Sequence, residues 1–174
     1  MAPAGRGTRP TLDRVREAVF NALGSLDAVE GARVLDLYAG SGALGIEALS
    51  RGANHTTFVD RDRSALAAVR ENLAATELAG RATVVGEDAL THLRRRALDG
   101  DLVELVLLDP PYETADEQWS VLLELVAAVA PGGVVVVESE REVPPPPGWD
   151  ALRQKRYGGT LISVLVPPPS PEPS

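Results

Sequence analysis

Apolar runs and helical stripes take turns along the chain from residue 33 to residue 138, and this alternation leaves few folds open. Arg33 to Tyr38 reads as a strand, Ala43 to Arg51 as a helix stopped by Gly52, Thr56 to Asp60 as a strand and Arg63 to Thr76 as a helix. The series continues with a strand from Ala82 to Gly86, a helix from Ala89 to Leu98 and a strand from Val103 to Leu108. A helix from Asp116 to Ala130 and a strand from Val134 to Glu138 close it. The strands are near-continuous Val/Leu runs, so both of their faces must be covered. Strands separated by helices in this way predict a parallel sheet with helices on both sides. Within helix 116–130, Trp119, Leu122, Leu123, Val126 and Val129 recur at helical spacing and predict its inner face.

The two ends depart from that pattern. Leu12, Val15, Val19, Leu23 and Leu26 mark an N-terminal helix opened by Pro10 and Thr11, with Thr11 as the expected cap. Pro144 to Pro147 is a stiff connector. Ala151 to Tyr157 and Thr160 to Val166 flank Gly158-Gly159 and read as an antiparallel hairpin. A chain of 174 residues, 44% hydrophobic, suffices for one domain with a core. The expected organisation is a flexible segment 1–9, one domain over 10–166 and a disordered, Pro-rich tail over 167–174.

Composition removes several classes. Without cysteine there are no disulfides or thiolate metal sites, and His55 and His92 alone do not make a metal centre, so no metal is expected. Residues 1–10 lack an apolar signal core, and the most apolar stretch, Leu125 to Val137, is broken by Pro131, Gly132 and Gly133. A soluble, cytoplasmic protein with no membrane partner is the expectation. The net charge of −8 argues against a general nucleic-acid coat. Residues 1–20, however, carry Arg6, Arg9, Arg14 and Arg16 against Asp13 and Glu17. That patch either grips phosphate locally or simply solvates a helix.

Two loops carry chemistry. Gly40-Ser41-Gly42-Ala43-Leu44-Gly45 follows the first strand and fits G-x-G-x-x-G, with Asp60 about 20 residues further on. A nicotinamide dinucleotide is therefore one reading. Against it stands Asp36, a carboxylate at the strand end where a pyrophosphate wants backbone N–H groups and no acid. An acid there suits the ammonium of a methionine moiety. Asp60 ends the second strand and can accept ribose hydroxyls. Asp88 follows the third and can accept from an adenine amine. Either acid could instead cap its following helix. Three acids at successive strand ends favour a ligand site, because ligands of open α/β sheets gather there. The candidate cofactor residues are Asp36, Tyr38, Gly40, Ser41, Gly42, Asp60, Arg61, Asp88, Ala89 and Asp109. The favoured cofactor is S-adenosyl-L-methionine, with S-adenosyl-L-homocysteine as product.

The second loop, Asp109-Pro110-Pro111-Tyr112, follows the fourth strand. Its prolines fix backbone shape and remove two N–H donors. The Asp109 carboxylate and the Pro110 carbonyl can hold an exocyclic amine by its N–H bonds, and Tyr112 can stack on the ring. A proline turn without chemistry is the plainer alternative. Taken with the glycine loop, the four residues Asp109, Pro110, Pro111 and Tyr112 predict methyl transfer to a ring amine. The predicted fold is then α/β, a Rossmann-like class I S-adenosylmethionine-dependent methyltransferase with a mostly parallel seven-stranded sheet ending in an antiparallel hairpin.

The chain resembles the RsmD family, which methylates guanine N2 in bacterial 16S ribosomal RNA. The resemblance covers most of residues 9–166. Arg9-Pro10-Thr11-Leu12-Asp13-Arg14-Val15-Arg16-Glu17 is similar to the family's R-P-T-x-D-R-V-R-E stretch and is its most specific part. Asp36 to Leu49, Asp109 to Tyr112 and Val137-Glu138-Ser139 resemble its cofactor, catalytic and fifth-strand segments. The resemblance implies that Arg9, Thr11, Asp13, Arg14 and Arg16 border the active site, with Arg9, Thr11, Arg14 and Arg16 as RNA contacts. It also implies that Glu138 supports the catalytic loop, unless it is a structural strand-end acid. The implied partner is 16S rRNA in the small subunit or an assembly intermediate, met by a monomer. The I-I-G-G…G-R segment usual before R-P-T in the family is absent, and Met1 to Thr8 stand in its place. Adenine-N6 or another amino group on DNA, RNA or protein remains an alternative target. An NAD-dependent oxidoreductase and a non-catalytic assembly factor are alternatives of other classes.

Overall fold

The computed structural model describes residues 9–173, and the side chains of residues 12–173. Helix α1 spans Arg9–Ser25, followed by strand β1, Arg33–Leu37, and α2, Ala43–Ser50. Next come β2, His55–Asp60, and α3, Arg63–Ala75, then a short 3-10 turn, Ala79–Arg81. β3 is Ala82–Gly86, α4 Ala89–Asp99 and β4 Leu105–Leu108. α5, Asp116–Val129, β5, Val134–Ser139, β6, Asp150–Tyr157, and β7, Thr160–Val166, complete the domain. The strand order is β3-β2-β1-β4-β5-β7-β6. The four pairings among β1 to β5 are parallel, and β7 meets both β5 and β6 antiparallel. The mostly parallel seven-stranded sheet with its terminal hairpin is thus as expected.

Two cores cover the two faces. One joins Leu35, Leu37, Val106 and Leu108 to α4 and α5 through Leu93, Trp119, Leu122 and Val126. The other joins Val34, Phe58, Leu105 and Leu107 to α1, α2 and α3 through Val19, Phe20, Leu49 and Val69. β4 is buried along its whole length. This explains its unbroken Leu-Val-Leu-Leu run, since each face meets helices. All five residues expected on the inner face of α5 are buried.

The ends show the differences. Thr11 is not a cap, because the helix already begins at Arg9 and residue 11 lies within its first turn. Val15, Val19 and Leu23 are buried as expected, but Leu12 is 36% and Leu26 43% exposed. Phe20 and Ala22 are buried instead. A helix lying on a broad sheet buries a wider band than a narrow heptad-like stripe, and its ends overhang the sheet. The flexible-segment expectation falls on residues 1–8, outside the described residues, together with the ninth, which opens α1. At the other end, Pro167 is buried and the Pro168 carbonyl accepts a hydrogen bond from Gly132 N at 3.2 Å, so the first residues after β7 are tied to the β5 entry.

Candidate active site

The strand order reverses between β1 and β4, and their carboxyl ends, Leu37 and Leu108, pair directly. The loops that follow must therefore diverge from one point, where open α/β sheets hold their ligands. A cleft of about 1030 Å³ opens there. It brings together Asp36, Tyr38, Gly40, Ser41, Asp60, Arg61, Asp88, Ala89, Asp109, Pro111 and Tyr112, with Arg16 at its rim. Gly42 is buried just behind the loop as the residue before α2, while Pro110 is buried and does not line the cleft. Arg14 is exposed and outside the lining, and the side chains of Arg9 and Thr11 lie outside the described residues.

The glycine loop is held from within. Asp36 is only 4% exposed, and its Oδ2 accepts from Gly45 N at 3.0 Å. A Cβ on Gly45 would stand 2.4 Å from Phe58 Cε1 and 2.7 Å from Asp36 Oδ2, so only glycine lets α2 sit this close. Tyr38 takes φ 58°, a left-handed conformation costly for a residue with a side chain. Asp60 accepts from Gly40 N at 3.0 Å through Oδ2 and from Asp62 N at 2.9 Å through Oδ1. It is not the cap of α3; Asp62 is. Asp88 does cap α4, accepting from Leu90 N and Thr91 N, both on Oδ2. Its Oδ1 has no protein partner among the described residues, so the cap and a ligand contact are compatible on one carboxylate.

Burial pushes the Asp36 carboxyl well above its usual range, against the lowering hydrogen bond from Gly45, and the nearby Asp109 and Asp60 push it further. Three carboxylates thus converge, and the two neighbours disfavour ionisation of Asp36. Burial likewise raises the Tyr38 hydroxyl.

The Asp-Pro-Pro-Tyr loop is shaped differently. Thr114 closes it onto the Pro111 carbonyl through N at 3.1 Å and Oγ1 at 2.6 Å. Arg141, just beyond β5, donates to the Thr114 carbonyl at 3.1 Å and pairs with Asp116 at 2.7 Å. Tyr112 is 67% exposed. The cleft wall here is rich in acceptors: Glu113, Glu138, Glu140 and Gln118 join Asp109. Of these only Glu138 was singled out from the sequence. Glu87 was also missed. It lies beside Asp88 and is held by His92 Nδ1 at 2.7 Å and by Arg95. Among the described residues no group of three or more His, Asp or Glu is arranged for a metal.

Arg16 is engaged within the protein, 3.2 Å from Asp13 and 3.8 Å from Glu47 of α2. It pins α1 against α2 at the mouth of the cleft.

The sheet order, the glycine loop at the switch point and the proline loop facing it define the Rossmann-like class I S-adenosylmethionine-dependent methyltransferase fold. The family model described as "Conserved hypothetical protein 95" matches residues 1–166, and the chain belongs to this family, the RsmD family. It is 41% identical over 169 residues to the "Putative rRNA methyltransferase YlbH" of Bacillus subtilis (strain 168), covering 94% of this chain and 90% of the relative. It is 39% identical over 160 residues to the "Ribosomal RNA small subunit methyltransferase D" of Escherichia coli (strain K12), covering 90% and 78%. Among solved structures, "Putative methyltransferase yhhF from Escherichia coli" superposes with a TM-score of 0.80 at 34% identity, covering 97% of this chain and 92% of that one.

Proposed function

We propose that this protein transfers a methyl group from S-adenosyl-L-methionine to the exocyclic N2 of a guanine in small-subunit ribosomal RNA. The carrying observation is the cluster of Asp36, Asp60 and Asp109 at the meeting point of the two loops. A cation placed among mutually repelling carboxylates is stabilised, whereas a pyrophosphate is repelled. This favours a cofactor bearing ammonium and sulfonium over a dinucleotide. Asp36 and the glycine loop would hold the methionine end, Asp60 the ribose, and Asp88 with Ala89 the adenine. When bound, the cofactor supplies an electrophilic methyl carbon on sulfur.

The protein's own part is to aim a poor nucleophile. The lone pair of a ring amine is delocalised, so acceptors on its N–H bonds must turn it toward the methyl. Asp109 is the acceptor at the loop, and its charge offsets the positive charge that develops on nitrogen. Tyr112 offers a face on which the base stacks. Guanine presents N1–H and N2–H2 as adjacent donors, while adenine sets its amine beside an acceptor nitrogen. A wall of Asp109, Glu113, Glu138 and Glu140 fits the donor-rich edge. The base must be unpaired or extruded to reach it. The relatives' names point to the same substrate class.

The test is mass mapping of nucleosides after incubating the purified protein with cofactor and unmethylated small-subunit RNA, naked or in particles. N2-methylguanosine at one position is expected. N6-methyladenosine would transfer the reading to the adenine alternative, and no methylated nucleoside in any form of the substrate would defeat it.

A further inference from the structure

One strand of the described surface contradicts the acidity of the whole. β6 is the edge strand, exposed from Asp150 to Arg156, and it carries Arg153, Lys155 and Arg156 against Asp150 on a chain of net charge −8. Several arginines elsewhere are matched: Arg33 with Glu104, Arg51 with Glu47, Arg95 with Glu87, Arg96 with Asp101 and Arg141 with Asp116. Neither Arg153 nor Lys155, nor Arg14 on α1, has an acidic partner among the described residues. Lys155 instead lies over the Tyr157 ring, 5.3 Å from its centre.

These cations share one face and lead to one place. Arg153 stands opposite Val164, Lys155 opposite Ile162 and Tyr157 opposite Thr160. Residues directly opposite in an antiparallel pair point the same way. Ile162 belongs to the core beneath α1. Arg153, Lys155 and Tyr157 are therefore on the α1 face, and they border a seam whose other wall is Ala18, Val19 and Ala22. Arg14 is one helical turn from Ala18 on the same side, toward the cleft. The strand rises toward the cleft as well. Its turn precedes Leu161, which pairs with Ser139 at the end of β5, next to the cleft residues Glu138 and Glu140. Successive cations on β6 are about 7 Å apart.

We propose that Arg14, Lys155 and Arg153 form a track that binds the phosphodiester backbone of RNA flanking the methylated base. The proposal rests on the reading of the cleft as an RNA methyltransferase site. It assigns separate tasks: an acidic cleft for the base and a cationic edge for the strand that carries it. The competing explanation is that cations on an edge strand only prevent pairing with a second sheet.

The double variant Arg153→Gln/Lys155→Gln decides between them. Its dissociation constant for transcribed small-subunit RNA is measured across a salt series, beside wild type and the charge-keeping pair Arg153→Lys/Lys155→Arg. The expected slope of log affinity against log salt falls by about 1.4 to 1.8, and affinity at low salt drops roughly tenfold. Binding of S-adenosylhomocysteine is unchanged, and the charge-keeping pair restores the slope. An unchanged slope in a variant that still binds S-adenosylhomocysteine overturns the track. So does a variant that self-associates while its RNA affinity stays intact. If the wild type itself methylates no RNA while the slope still falls, the proposed function fails and the track survives as an RNA-binding surface.

Discussion

The loop after β1 and the loop after β4 reach the same cleft from neighbouring strands, yet they are built in opposite ways. The glycine loop is buried or half-buried and stitched from inside. Asp36 receives Gly45 N, Asp60 receives Gly40 N, and Asn72 Nδ2 donates to the Ser41 carbonyl at 3.0 Å. The proline loop presents Pro111, Tyr112 and Glu113 to solvent and is fastened only behind, through Thr114 and Arg141. The first arrangement is preorganised and fits a small ligand that is always the same. The second leaves its edge open, which suits the macromolecular substrate proposed above.

If that division is right, the two loops fail differently. Asp109→Ala should lower the rate of methyl transfer by about 10³-fold, the scale of losing one preorganised electrostatic contact to a developing charge. Calorimetry with S-adenosylhomocysteine should find binding largely retained. Loss of cofactor binding equal to the loss of rate would erase the distinction between the loops.

The mirror-image variant is Asp36→Asn. Asn keeps an oxygen for Gly45 N but removes the buried charge. A carboxyl whose value is raised on folding costs stability as pH climbs through its unfolded value, so the apo protein should melt no lower at neutral pH, and higher if anything. Cofactor affinity should nevertheless fall about 10- to 100-fold, the range for a charge-assisted hydrogen bond. A variant that melts lower and binds as before would show that Asp36 is a structural acid only.

Much of this contrast is legible in the sequence. The strand-end acids, the glycines and the proline loop all sit where a strand pattern gives way to a helix, and a parallel sheet sends every such strand end to one edge. The third glycine of the fingerprint, Gly45, is explained by close packing on Phe58 and Asp36. Illegible were the long side chains that tie elements together. Arg141 fastens the proline loop from beyond β5, and Arg96 on α4 reaches Thr57 on β2 at 3.2 Å. No spacing rule announces such contacts, because an arginine's reach depends on how whole elements pack. The stripe on α1 misled at Leu12 and Leu26 for a related reason: periodicity gives a face, but the extent of the sheet decides how much of that face is covered.

The smallest expected effect comes from the same wiring, behind the end of the cleft that carries Asp88. His92 is 3% exposed; Arg96 Nε donates to its Nε2 at 2.8 Å, so the proton belongs on Nδ1, facing Glu87. Burial, helped by Arg96 and Arg95, pushes His92 below its ordinary value of 6.5 despite Glu87. The Arg95 hydrogen bond draws Glu87 from 4.5 down to about 2. In both cases the unfolded chain takes up a proton before the folded one as pH falls. The contribution of His92 is therefore complete above pH 6.5 and lost as pH falls below it, and that of Glu87 is lost between 4.5 and about 2. Melting temperature should hold steady above pH 6.5, then decline by a few degrees toward pH 5 and more steeply below 4.5, at about 2–4 °C per kcal/mol. His92→Gln should flatten the first decline and leave the second. A flat wild-type profile between pH 7 and 5 would mean that this network neither excludes the proton nor braces the turn that carries Asp88.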